Sequence, residues 1–271
     1  MAVVLLVLGR LFRSASHPSR TSAFNSVRAE LVQARTVALW CAMHAFTLEL
    51  QETGNGAPKR RTLPIHDLVI AGWTGRDLAA VEHHIAELEA IGVPRPPSVP
   101  CYYRVSAQLL TTAGEIQVPG GASSGEAECV MLASDDGMLI AVGSDHTDRK
   151  VETYNITVSK QMCPKPISRD VWRFADIADH WDKLILRSWI TEGGKRSLYQ
   201  EGAWSNMRPA PELIEKGFNG AKSLPAGHAM FCGTLGAKGG VRPGERFDLE
   251  LHDPVRNLSL KHGYDVRSLP M

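Results

Sequence analysis

Two glutamates one residue apart, Glu126-Ala127-Glu128, and a charged run downstream, Ser144-Asp145-His146-Thr147-Asp148-Arg149, hold the densest chemistry in the chain. In a strand, residues i and i+2 point to one face, so Glu126 and Glu128 would project together. Two carboxylates that close repel unless a cation lies between them. A hard ion such as Mg²⁺ takes oxygen ligands and keeps positions for water or substrate. Asp145, at the end of the apolar run Ile140–Gly143, supplies a third oxygen if the two strands pair. Alternating glutamates on a solvated strand face are the competing explanation of E-x-E taken alone. A second motif, Gly121-Ala122-Ser123-Ser124-Gly125, spells G-x-S-x-G, the nucleophile elbow of α/β-hydrolases. That elbow needs an apolar strand before it and a helix after it. Here Pro119-Gly120 precedes it and a strand-like run follows, so a small-residue loop in a hairpin explains it better.

The elements that must position these groups follow from apolar periodicity. Ala45–Leu50 and Leu68–Ala71 read as strands, separated by the polar turn Gly54–Arg61. Thr74 is placed to cap a helix over Asp77–Ala90, whose apolar stripe is Leu78, Val81, Ile85 and Leu88. Pro94–Pro100 is a stiff connector. Beyond Cys101 short strands alternate with Gly and Pro punctuation: Glu115–Val118, Glu126–Leu132, Met138–Val142, Leu184–Ile190, Ala229–Cys232 and Arg246–Leu251. Helical stretches lie near Asp176–Trp181 and Ala210–Lys216. The pattern is a β-rich α+β domain, not a βαβ array.

Composition narrows the function. The 271 residues carry 30 basic and 29 acidic side chains, a balance that disfavours binding to a nucleic-acid backbone. No apolar run approaches the ~20 residues of a membrane span. The five cysteines are odd in number and scattered, which fits neither a zinc site nor a disulfide framework and suggests a reducing compartment, the cytoplasm. Residues 1–42 hold five arginines and one acid, Glu30, a composition similar to a mitochondrial presequence. The plainer reading is an upstream start codon, with Met43 opening a domain of residues 43–271 divided into 43–100 and 101–271.

Five stretches in order, over roughly Cys101–Pro270, resemble the fumarylacetoacetate hydrolase family. The E-x-E pair is followed by Asp145-x-x-x-Arg149, then Lys160 before Cys163-Pro164-Lys165-Pro166, Gly233-Thr234 in GTLGAKGG, and RPGERFDLEL at Arg242–Leu251. Pro225-Ala226-Gly227 is similar to the family's lead-in to its glycine-rich turn. The resemblance implies a mixed β-roll or sandwich with a small N-terminal α/β portion, and a homodimer. It also implies a divalent-metal enzyme acting on small oxo-carboxylates, by C–C hydrolysis, decarboxylation or isomerisation. Glu126, Glu128 and Asp145 match its Mg²⁺ or Mn²⁺ ligands. Arg149 and Lys160 match cations that hold the substrate and its enolate, and Thr234 matches a hydroxyl that contacts it. The family's general base is a His paired with Glu; His84-Ile85-Ala86-Glu87 has that spacing, with His83 as the fallback. The chain departs from the pattern in three places: no helix fits between Glu128 and Asp145, Glu152 stands where many members have Gln, and N-Y-x-x-H is not evident near Gly72-Trp73-Thr74.

The expected protein is therefore a cytoplasmic, metal-dependent, fumarylacetoacetase-like hydrolase whose partner is a small oxo-carboxylate, with no nucleic acid and no membrane. A serine hydrolase using Ser123 and a non-catalytic, small-acid-binding β-domain are the alternatives.

Overall fold

The computed structural model describes residues 46–54, 56–90 and 95–271, apart from the side chains of His84, Glu87, Leu88 and Ala90. Residues 1–42, read above as an extension, lie outside the described residues. The strands in chain order begin with β1 (Phe46–Glu52), β2 (Lys59–Ile65), β3 (Asp67–Gly72), β4 (Cys101–Val105), β5 (Leu110–Thr111) and β6 (Glu115–Pro119). Around the acidic motif come β7 (Ser123–Ser124), β8 (Ala127–Ser134), β9 (Gly137–Ser144), β10 (Thr147–Asp148), β11 (Lys165–Pro166) and β12 (Asp170–Arg173). The remainder are β13 (Ile185–Glu192), β14 (Lys195–Ala203), β15 (His228–Thr234), β16 (Arg246–Asp253) and β17 (Leu258–Leu269). Among the described residues four α-helices interrupt them: α1 (Leu78–Ala90), α2 (Arg149–Glu152), α3 (Ile156–Gln161) and α4 (Ala210–Gly217).

Eight strands form one sheet in the order β2-β1-β12-β9-β8-β15-β3-β4, and five form a second, β14-β13-β16-β17-β6. Only His66 links β2, at one edge of the large sheet, to β3 near the other. Flat strands ~4.8 Å apart would put those two about 29 Å from each other, far beyond the reach of one residue. The sheet must therefore curl until its edges meet, which is the β-roll.

Curling buries both faces of the central strands, and their sequences are accordingly apolar without alternation. In β8, Cys129 and Met131 pack toward the second sheet with Leu186, Phe247, Leu249 and Tyr264, while Val130 and Leu132 point inside the roll with Leu48, Ile65, Ile70 and Phe231. These are the two hydrophobic cores.

Several elements depart from expectation. Thr74 does not cap α1; the Asp77 carboxylate accepts the Ala79 and Ala80 N–H groups at 2.9 and 3.2 Å and performs that role. Leu78 in the expected apolar stripe is 58% exposed, whereas Ile85 is buried. The polar turn ends early, because Lys59–Arg61 already belong to β2, where Arg61 and Arg60 pair with Glu52 and Glu49. Charged residues on that strand find cross-strand partners, a pattern invisible until β1 and β2 are in register. The stretch near Asp176–Trp181 forms two 3₁₀ turns, Phe174–Asp176 and Ala178–Lys183. Among the described residues no helix is long and apolar enough to cross a membrane.

Candidate metal and oxo-acid site

β8 and β9 pair antiparallel with Ala127 opposite Ser144 and Glu128 opposite Gly143. This register brings the E-x-E motif to the segment carrying Asp145, whose N–H donates to Glu126 O at 2.9 Å. One oxygen each from Glu126, Glu128 and Asp145 lies within 4.8 Å of the others. Glu128 and Asp145 are buried, and the Glu126 side chain is 16% exposed. Burial pushes the Glu128 carboxyl well above its ordinary range, and the neighbouring charges of Asp145 and Glu126 push it further. Burial also raises Glu126, against the pull of Arg149 and Lys160. Asp145 is equally buried, yet the Lys160 and Lys165 ammoniums hold it below the usual range.

Short helices deliver the cations. Asp148 caps α2, accepting the Lys150 and Val151 N–H groups at 3.0 and 2.9 Å, and so places Arg149 on the first turn. Arg149 Nε donates to Ser124 Oγ at 2.6 Å and Nη1 to Glu152 at 2.9 Å, while Nη2 lies 3.2 Å from Glu126 Oε1. Asn155 caps α3, whose last turn carries Lys160. Lys160 Nζ donates to Asp145 Oδ2 and stands 4.0 Å from Glu126 Oε2. Burial works against its charge, but Asp145 and Glu126 prevail and raise its pKa, so Lys160 stays an ammonium.

β15 completes the wall through a bulge between Phe231 and Thr234. Gly233 there has φ +98°, and a Cβ on it would meet Thr74 Oγ1 at 1.7 Å. Its N–H donates to Glu128 Oε2 at 2.6 Å. The next hydroxyl, Thr234 Oγ1, donates to Ala127 O at 2.8 Å and accepts from Gln200 Nε2 at 2.7 Å. Gln200 also accepts from Ala127 N and Ser188 Oγ, fastening the second sheet to the acidic strand. On the other side, Tyr103 turns its ring toward Lys160 Nζ, 5.7 Å away, and accepts from Trp73 Nε1 at 3.2 Å. Trp73 itself has φ +59°, a strained conformation for a bulky side chain.

The fold thus gathers Glu126, Glu128, Asp145, Arg149 and Lys160 into one cluster, with Thr234 hydrogen-bonded to Ala127 at its edge. His84 and Glu87 lie on α1, but their side chains are outside the described residues. Ser123 has a histidine partner, His146 Nε2 at 2.9 Å, yet both side chains are buried. His146 Nδ1 faces the Tyr264 hydroxyl at 3.0 Å, where a serine triad would have a carboxylate. Tyr264 donates to Ser144 Oγ, which accepts Glu126 N–H, so this chain of bonds supports the backbone of the acidic motif. Sequence reading missed Lys165, Gln200, Tyr103 and Thr74. Lys165, inside the C-P-K-P stretch, carried a weak signal: a lysine held between two prolines.

Three carboxylates with no nitrogen or sulfur among them suit a hard divalent cation. Asp145 Oδ1 is buried without a hydrogen bond, a lone pair left for such an ion. Two donors, Arg149 Nη2 (ion-paired with Glu126) and Thr74 Oγ1, are also buried without a hydrogen bond.

Nothing among the curated proteins matches the sequence. Two solved structures with this fold are yeast ynq8, a fumarylacetoacetate hydrolase family protein, and fumarylpyruvate hydrolase from Pseudomonas aeruginosa in complex with Mn²⁺ and pyruvate. The first is 16% identical at a TM-score of 0.57, covering 76% of this chain and 95% of that one. The second is 14% identical at a TM-score of 0.55, covering 83% and 98%. The model of a family described as "Protein of unknown function (DUF2848)" matches residues 71–264. The chain carries the fold of the fumarylacetoacetate hydrolases and belongs to the DUF2848 family.

Proposed function

We propose that this protein is a Mg²⁺- or Mn²⁺-dependent enzyme that cleaves a C–C bond in, or decarboxylates, a small oxo- or diketo-carboxylate. The observation that carries the reading is the meeting of the Glu126, Glu128 and Asp145 oxygens within 4.8 Å beside a protonated Lys160. Glu126, Glu128 and Asp145 would hold the cation, whose bound form polarises the carbonyl of a 2-oxo acid. Charge supports an anionic substrate. Four carboxylates (Glu126, Glu128, Asp145, Glu152) face three cations (Arg149, Lys160, Lys165), a formal −1 that a divalent ion converts to +1. One carboxylate of substrate restores neutrality.

Lys160 remains protonated and so serves as a hydrogen-bond or proton donor to an enolate oxygen, not as the base. Arg149 Nη2 is ion-paired with Glu126 but makes no hydrogen bond, so it can donate one to a substrate oxygen. The base that activates water falls to the His84–Glu87 pair. If that pair is too distant, decarboxylation or tautomerisation takes the place of hydrolysis.

A thermal-shift titration with MgCl₂ and MnCl₂, with and without oxalate, tests the reading on wild type, Glu126→Ala/Glu128→Ala and Ser123→Ala. Ligand at a hundredfold excess over Kd adds about 2.7 kcal/mol of stability. A metal-dependent rise in Tm, larger with oxalate, is expected in wild type and Ser123→Ala and absent in the double variant. A wild type indifferent to both metals would sink the proposal. Metal and oxalate binding without turnover on any diketo acid would instead make it a binding domain.

A further inference from the structure

Lys165 lies on β11, between Pro164 and Pro166, and its side chain is fully buried, 0% exposed. A buried ammonium is tolerated only when its hydrogens are bonded. It has three N–H donors and no more. Three backbone carbonyls take them: His146 O at 2.6 Å, Cys163 O at 2.9 Å, and Lys160 O. Asp145 Oδ1 stands 3.4 Å from the same nitrogen but receives no hydrogen bond.

The identity of those carbonyls is what matters. His146 follows the carboxylate Asp145. Lys160 is the residue whose own ammonium holds Asp145 Oδ2, and its carbonyl lies at the C-terminal end of α3, where a cation is favoured. A single buried charge therefore ties together the two segments that carry Asp145 and Lys160. Because its three hydrogens are occupied, it attracts Asp145 Oδ1 without using that oxygen's lone pair. The flanking prolines restrict φ on both sides of the lysine, and Lys165 is paired with Leu110 of β5, so its own backbone is held in place.

We infer that Lys165 is a positioning residue that keeps Asp145 Oδ1 fixed and unbonded for a divalent cation. It cannot touch substrate, since it is sealed behind Asp145. The inference rests on the metal-dependent reading above. Removing the ammonium would take a hydrogen bond from each of three buried carbonyls and free the Asp145–His146 segment from the end of α3.

The experiment is isothermal titration of the full-length chain with MnCl₂ alone, comparing wild type, Lys165→Met and Leu260→Ala. Leu260 is a core residue of β17 outside the carboxylate cluster and supplies a control for lost stability without a lost site. Lys165→Met should bind Mn²⁺ about 10–100-fold more weakly, as when groups orienting a metal ligand are removed. Leu260→Ala should melt lower yet keep the wild-type Kd. A folded Lys165→Met with unchanged or tighter Mn²⁺ binding overturns the inference and leaves the metal reading standing. A wild type that takes up no Mn²⁺ overturns both. If Lys165→Met does not fold, the wild type still decides: in protein carrying ¹⁵N-lysine, the Lys165 ammonium signal should be slow to exchange with water and shift on MgCl₂ addition. A rapidly exchanging signal, or one that does not move, overturns the inference.

Discussion

At the scale of the residue, the site is a negotiation between burial and charge. Burial raises both glutamates, while Lys160 and Lys165, with help from Arg149, keep Asp145 low. The carboxylates of the cluster therefore take up protons unequally on acidification. Glu128, pushed up most strongly by burial and by the charges of Asp145 and Glu126, binds a proton at a higher pH than an ordinary glutamate. A protonated carboxyl does not ligate a metal, so metal uptake must displace that proton. Mn²⁺ affinity should then fall with decreasing pH from a point above the ordinary glutamate value of about 4.3. The same titration repeated in buffers of different ionisation enthalpy should show protons released on binding. Affinity constant down to that ordinary value would contradict the assignment of Glu128 as a ligand.

At the scale of the element, the β15 bulge is the device that turns a strand into part of a site. Gly233 does two things there that need the same missing side chain. Its left-handed φ aims the N–H at Glu128, and the absent Cβ leaves room for Thr74 Oγ1. Gly233→Ala should lower stability by about 1–3 kcal/mol through overpacking and strain. It should also weaken Mn²⁺ binding, because the clash moves the N–H that fixes Glu128. Urea unfolding and metal titration on one preparation check both. A variant with native stability would show that the bulge relaxes freely. The short helices act likewise: Asp148 and Asn155 are caps whose purpose is to start α2 and α3 where Arg149 and Lys160 are needed.

At the scale of the whole molecule, the two sheets meet at a buried polar pin. His146 bonds Ser123 of β7 and Tyr264 of β17, and Tyr264 bonds Ser144 of β9. Burial, together with the charges of Lys165 and Arg149, lowers the His146 pKa to about 3. The sign of its effect on stability follows. An unfolded histidine takes up a proton near pH 6.5, the folded one does not, and acid therefore favours the unfolded chain. Between about pH 7 and about pH 5 this residue should remove about 2 kcal/mol of stability. His146→Asn should be less stable at neutral pH, yet lose less stability over that interval than wild type. Parallel curves in urea at the two pH values would show that His146 does not govern the acid response.

The roll and the site were legible to different degrees. Arg149 and Lys160 could be picked out because their order along the chain matches a family pattern, and E-x-E and Asp145 because strand alternation is a local rule. The apolar runs of β8, β9 and β15 could be read as buried strands for the same reason. Strands such as β2 and β14 were hidden, since their charged residues become favourable only beside partners distant in the chain. Lys165, Gln200 and the His146–Ser123 contact were equally hidden. Taken alone, each is a polar residue whose place would be the surface, and its worth comes from carbonyls and hydroxyls delivered by other elements. Local sequence thus determined which groups are available and on which side of a strand they stand. Only the closing of the sheet and its packing on the second decided which were desolvated, and desolvation is what turns a cluster of charges into a site.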